Sequence, residues 1–275
     1  MALLAGLSAA WAQGGDAGDG IPLSESPVPG IYQLFGIGPD GAQGEAMPFL
    51  KIYNADGTFC TVLAVPERTQ PGMLTNSGSY RVVSERQLVE SLAESVYESH
   101  RAGDDNTMDY AVEEGVMWLT FPSGGGVGRE AWHVVGRPVA AGKAGRTPAR
   151  ARALAEALEG VWQLCYNTDE GRRVYAPIYK IYRADGTFST VSFVSQAGTA
   201  RISAQGSYAV RGPEEYVECI SESAVAPELV GEETSLGCIF TDDCGTYMRV
   251  SFTLPGGGDA VTEEWARVTC AGRER

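Results

Sequence analysis

Apolar and polar residues alternate along this chain in short runs, and Gly, Pro, Asp or Asn breaks nearly every run after five to ten positions. Such alternation places successive side chains on opposite faces of a strand and predicts antiparallel β-structure with frequent turns. Lys51-Ile52-Tyr53-Asn54-Ala55-Asp56-Gly57-Thr58-Phe59-Cys60-Thr61-Val62 reads as strand, turn, strand, with Asp56-Gly57 supplying the positive φ of a tight turn. Further turn signals follow at Asn76-Ser77-Gly78, at Gly103 to Asn106 and at Pro122 to Gly126.

The same pattern occurs twice. Lys180 to Val191 repeats the hairpin 129 residues later, and Gly30-Ile31-Tyr32-Gln33-Leu34 returns as Gly160-Val161-Trp162-Gln163-Leu164. Gly78-Ser79-Tyr80 matches Gly206-Ser207-Tyr208, Leu88-Val89-Glu90-Ser91 matches Tyr216-Val217-Glu218-Cys219, and Glu130-Ala131-Trp132 matches Glu263-Glu264-Trp265. Nearly constant offsets over ordered landmarks indicate duplication of one β module, each copy about 110 residues and large enough for its own core. The expected organisation is an N-terminal leader at 1–28, a first barrel at 29–138, a linker with a short helix at 139–159, and a second barrel at 160–271. Thr147-Pro148 is the expected N-cap and first helical position, and Gly160 the stop.

Composition narrows the class. With 35 Gly, 14 Pro and 44% hydrophobic residues, the chain suits an all-β fold with real cores. A net charge of −14 disfavours nucleic acid and anionic membrane surfaces as partners. Met1 to Ala12 is apolar, too short to span a bilayer, and ends in an A-x-A-like pattern, Ala10-Trp11-Ala12, without a basic flank. It reads as the remnant of a secretory signal, which places the mature protein in the periplasm or outside the cell, with no integral membrane segment. Six Cys show no zinc-ligand spacing. Cys238 and Cys244 flank a predicted hairpin tip and are the best-placed disulfide pair, whereas the others read as small buried hydrophobes.

From Gly160-Val161-Trp162 onward the second unit resembles the lipocalin-like families of the calycin group, and in particular small exported bacterial domains of unknown function. The resemblance rests on the order Gly-x-Trp, Asp-Gly-Thr-Phe, Gly-Ser-Tyr, Tyr-Val-Glu and Glu-x-Trp-x-Arg, covering Glu159 to Cys270. It implies a β-barrel with an apolar cavity, and an Arg267 that packs over Trp162 as a structural lid at the barrel base, with Trp265 also structural. In the first unit Tyr32 replaces the Trp and Val134 stands where Arg267 does.

Candidate chemistry is sparse. Period-two reading puts Glu90, Glu94 and Glu98 on one strand face with Leu88, Leu92 and Val96, and Glu218 and Glu222 on one face with Tyr216 and Ile220. That face points either into the barrel, where carboxylates would hold a polar ligand group, or to solvent. Tyr80 and Tyr208 join Glu90, Glu94, Glu218 and Glu222 as candidate ligand-binding residues; their alternative is packing with the hydroxyl on a carbonyl. No nucleophile elbow, P-loop or metal motif is present, so no catalytic residue, metal or cofactor is assigned. The reading is an exported, non-enzymatic protein of two tandem lipocalin-like antiparallel barrels that binds a small apolar ligand. The alternatives are a protein-interaction or inhibitor module with filled barrels and, behind it, a Glu-dependent isomerase or hydrolase.

Overall fold

The computed structural model describes residues 20–37, 43–64, 69–97, 100–123, 126–139, 147–194, 198–254 and 257–270. The apolar segment at Met1 to Ala12 and Glu98 lie outside them. Two eight-stranded antiparallel barrels follow one another along the chain. The first comprises β1 (Gly30–Ile37), β2 (Gln43–Tyr53), β3 (Thr58–Leu63), β4 (Met73–Ser84), β5 (Gln87–Ser95), β6 (Asp105–Glu113), β7 (Val116–Ser123) and β8 (Gly126–Gly136). It closes through the β1–β8 pairing. A 3-10 turn (Ala149–Ala151) and the short helix α1 (Arg152–Leu158) connect to the second barrel. That barrel comprises β9 (Gly160–Asn167), β10 (Arg173–Tyr182), β11 (Thr187–Val194), β12 (Thr199–Val210), β13 (Glu215–Ser223), β14 (Glu233–Phe240), β15 (Tyr247–Phe252) and β16 (Val261–Arg267). It closes through β16–β9. Closure pairs every strand on both sides and leaves no long free edge.

Local chemistry explains the corners. In each copy the hairpin turn is four residues rather than two. Gly57 (φ +85°) donates its N–H to the Asn54 carbonyl, and Asp56 Oδ1 accepts from the N–H and hydroxyl of Thr58. Gly186 (φ +80°) and Asp185 repeat this with Arg183 and Thr187. The helix start differs from expectation. Ala151 is the N-cap of α1, with no side-chain cap, and Thr147 Oγ1 instead accepts the N–H of Val210 at 3.1 Å. The preceding 3-10 turn satisfies the first amides, with Ala151 N–H donating to the Pro148 carbonyl and Arg152 N–H to that of Ala149, and Thr147 is used to tie the linker to β12.

Three apolar clusters organise the molecule. One fills the first barrel, around Tyr32, Tyr53, Phe59, Met117 and Trp132. Another fills the second, around Trp162, Tyr182, Phe188, Tyr216 and Trp265, with Leu154 and Leu158 of α1 stoppering its base. The third lies between the barrels and joins Leu50, Ile52 and Val62 to Tyr179, Ile181 and Val191. Strands β2 and β10 are therefore buried on both faces, which is why they read as nearly continuous apolar runs. Within the expected 160–271 unit, β17 (Thr269–Cys270) leaves the second barrel and pairs parallel with Met73 and Leu74 of β4 in the first.

Cys60, Cys165, Cys219, Cys238 and Cys244 are free thiols. Cys238 points into the second barrel core and Cys244 is exposed in the β14–β15 turn, so the expected cross-link between them is absent. Residues alternate in direction along β14, and the inward-facing Cys238 cannot meet a sulfur at the outer tip of the turn.

Candidate functional site

Each lumen holds one buried polar network. On β2, Lys51 and Tyr53 lie two residues apart and share the inward face. On β5, Glu90 faces them between Leu88 and Leu92. Lys51 Nζ donates to Glu90 Oε1 at 3.0 Å, and the Tyr53 hydroxyl donates to the same oxygen. The Lys51 ammonium also lies 5.1 Å from the ring centre of Trp132, whose Nε1 donates to Glu130 at 2.8 Å. The second barrel repeats this. Lys180 Nζ donates to both oxygens of Glu218 at 3.1 and 3.2 Å, and Tyr182 donates to Glu218 Oε1 at 2.5 Å. Lys180 lies 5.2 Å from the ring centre of Trp265, whose Nε1 donates to Glu263 at 3.0 Å. Tyr216 stands where the first barrel has Leu88, and its hydroxyl adds a 2.9 Å bond to Tyr182.

These pairs are shut away from solvent. Side-chain exposure is 7% and 4% for Lys51 and Glu90, and 11% and 8% for Lys180 and Glu218. None of their polar atoms is buried without a partner. Burial pulls against the Lys51 ammonium, but the charge of Glu90, with that of Glu130 and the hydrogen bond, leaves its pKa above the usual value. Burial first, and then the adjacent carboxylate, push the phenols of Tyr53 and Tyr182 well above their usual range. A carboxylate already accepting from an ammonium and a phenol is poorly placed to take a proton from a third group.

The remaining candidates separate. Glu94 and Glu222 do not share the face of Glu90 and Glu218, because each strand carries a bulge just before them. Gly78 pairs with Leu92 and Ser77 with Glu94, which leaves Ala93 as the extra residue. Gly206 pairs with Ile220 and Gln205 with Glu222, leaving Ser221. One extra residue reverses the alternation. Glu94 is half-buried; Glu222 is exposed and accepts from Gln205 Nε2 at 2.7 Å. The Tyr80 hydroxyl donates to the Asn54 carbonyl at 2.7 Å and that of Tyr208 to the Arg183 carbonyl at 2.9 Å. Both tyrosines thus tie down the hairpin turns.

Arg267 lies 4.3 Å from the ring centre of Trp162 and donates to the carbonyls of Ala157 and Glu159. Burial lowers its pKa to about 10. The first barrel has the same lid from an unexpected residue. Val134 pairs with Tyr32, but a register shift between Ile31 and Tyr32 follows, and Arg137 reaches back to lie 5.4 Å from the Tyr32 ring. It donates to the carbonyls of Pro27 and Pro29 and to the Tyr32 hydroxyl at 2.6 Å. Tyr32 Oη and Trp162 Nε1 each donate to a buried residue four positions upstream, Val28 and Leu158.

Sequence reasoning missed Lys51 and Lys180 as the partners of the glutamates. The available signal was a lysine recurring at the same place in a strand otherwise too apolar to face water, matched by a recurring acid. Among the described residues no group of three or more His, Cys, Asp or Glu is arranged to hold a metal ion.

Comparison with solved structures gives distant likenesses. A redesigned β-barrel is 19% identical over 44% of this chain and 97% of its own, with a TM-score of 0.28. The isotype 1 transferrin binding protein B of serogroup B Neisseria meningitidis is 10% identical over 82% of this chain and 66% of its own, with a TM-score of 0.20. Comparison with curated proteins gives no match. A family profile, in contrast, matches both barrels, at residues 28–139 and 157–274. The chain therefore belongs, twice over, to the domain-of-unknown-function family DUF4488.

Proposed function

We propose that this chain is an exported, non-enzymatic binding protein that engages another polypeptide through the loops at the open ends of two filled barrels. The observation that carries this reading is the state of the lumens. Aromatic side chains such as Tyr53, Trp132, Tyr182 and Trp265 occupy them, and the Lys–Glu pairs between those rings bond each other and a neighbouring tyrosine. Interiors packed in this way hold a scaffold rigid and leave recognition to the loops. The lipocalin-like alternative, a small apolar ligand in a lumen, requires those rings to move and the Lys–Glu pairs to find new partners, a cost of several kcal/mol by the usual desolvation penalty of about 1–3 kcal/mol per orphaned group. Export rests on the apolar segment ending in Ala10-Trp11-Ala12.

Mass spectrometry of the purified, denatured protein tests the choice together with site-specific cross-linking to envelope proteins. The expected result is no stoichiometric small molecule, and cross-links from open-end loops such as that between β13 and β14. A co-purified apolar molecule at one or two per chain would overturn the reading.

A further inference from the structure

At the open end of the second barrel, exposed apolar side chains occur together with exposed carboxylates. Val225 is 74% exposed, and Val230, Leu254 and Tyr166 are each 45% exposed. They belong to the β13–β14 loop, the β15–β16 loop and the upper end of β9. Two shallow depressions lie at the same end, and Tyr166 lines the second. One, of about 490 Å³, is where β14 and β15 part, with Phe252 between Glu233 and Ala260. The other, of about 430 Å³, lies between β9 and β16, with Leu164 and Tyr166 facing Glu263.

The charge at this rim is predominantly negative. Arg172 pairs with Glu170 at 2.6 Å, Arg249 with Glu264 at 3.0 Å and Arg211 with Glu233 at 3.6 Å, Arg173 lies 3.9 Å from the Tyr247 ring centre, and Arg201 is exposed. Glu228, Glu232 and Asp259 are exposed, and among the described residues none of them has an ion-pair partner. Exposed apolar side chains rimmed by uncompensated charge of one sign mark a docking surface for a chain of the opposite sign. Resting on the protein-binding reading above, we propose that this rim docks a basic amphipathic helix of a partner polypeptide. The depressions are separated by two inter-strand spacings, about 9–10 Å. A helix presents side chains at i and i+7 about 10.5 Å apart, so apolar residues two turns apart reach both depressions while lysines or arginines between them meet the carboxylates.

The test uses the full chain and labelled 18-residue helical peptides of one pattern. One carries Leu at heptad positions and Lys elsewhere, a second has Glu in place of Lys, and a third has Ser in place of Leu. Fluorescence anisotropy is expected to show saturable one-to-one binding of the Lys/Leu peptide alone, weakened by salt. Binding falls at least tenfold in Val225→Ser/Leu254→Ser and in Glu228→Gln/Glu232→Gln/Asp259→Asn, with unchanged circular dichroism and melting showing that the variants fold. Val127→Ser, an exposed position on the first barrel, leaves it unchanged. Equal binding of the Glu/Leu peptide, or binding untouched by both rim variants, overturns the rim proposal while leaving the interaction reading in place. No binding of any peptide, with envelope cross-links confined to other loops, overturns the proposal alone; the absence of such cross-links as well overturns both.

Discussion

Lys51 and Lys180 are the residues on which each core is most exposed to a single change. An ammonium between aromatic rings is tolerated because Glu90 or Glu218 lies within 3.0–3.2 Å and an indole face lies beneath it. Glu90→Leu leaves Lys51 buried and unpaired and is expected to cost about 3–5 kcal/mol in urea unfolding. Adding Lys51→Met to it should return most of that loss, because a well-packed apolar pair avoids the desolvation of both charges. If the double variant is as unstable as the single one, the network does more than pair two charges. The buried phenols and Lys51 also set the behaviour in alkali. The folded-state pKa values of Tyr53, Tyr182 and Lys51 lie above the ordinary 10.0 and 10.5, so the unfolded chain gives up protons first. Their contribution is fully present below pH 10.0 and is lost as the pH climbs toward the raised values. Stability is therefore expected to fall steadily above that pH, with tyrosinate absorbance of the buried phenols appearing together with unfolding. A tyrosinate titration completed near the ordinary value in a chain that remains folded would contradict the burial of these groups.

At the scale of elements, the two glycine-linked bulges decide which glutamates enter the barrel. A Cβ on Gly78 would stand 2.0 Å from the Ser91 carbonyl oxygen, and one on Gly206 would stand 2.1 Å from that of Cys219. Only glycine lets the bulged strand come that close. Gly78→Ala and Gly206→Ala are expected to cost about 1–3 kcal/mol each and to loosen the β4–β5 or β12–β13 pairing, seen as faster amide exchange there. The period-two reading placed Glu90 and Glu218 on the same face as Leu88 and Tyr216, which is where they are found, and it carried no information about which way that face points. It then ran on through the bulges to Glu94 and Glu222, since an inserted residue leaves no mark in alternation alone. Arg137 escaped notice for a related reason. Counting on from the Glu-x-Trp motif arrives at Val134, and the register shift that brings Arg137 over Tyr32 is a feature of the paired strands.

For the whole molecule, the duplication was legible from offsets, but the contact between the copies was not. Leu50, Ile52, Val62 and their counterparts read simply as core, with nothing to say that the core belonged to two barrels at once. The contact carries a twofold logic. Gln33 Oε1 accepts the N–H of Ala200 at 2.8 Å while its Nε2 donates to Gly198 at 2.7 Å; Gln163, its equivalent, accepts the N–H of Gly72 at 2.7 Å. Asn54 and Arg183, also equivalent positions, meet each other at 2.9 Å. Gln33→Ala leaves buried backbone groups of the other barrel unpaired and is expected to cost about 1–3 kcal/mol. It should also separate one cooperative calorimetric transition into two, since the barrels unfold together only while the interface couples them.

The central claim is that both lumens are filled and that binding is the work of the loops. Titration of the intact chain with a small apolar fluorescent probe, beside a Trp265→Ala variant that opens a cavity in the second barrel, tests it most directly. The account predicts no saturable uptake by the wild-type chain and one probe per chain in the variant. Saturable uptake by the wild-type chain, displaced by an apolar competitor, would contradict it.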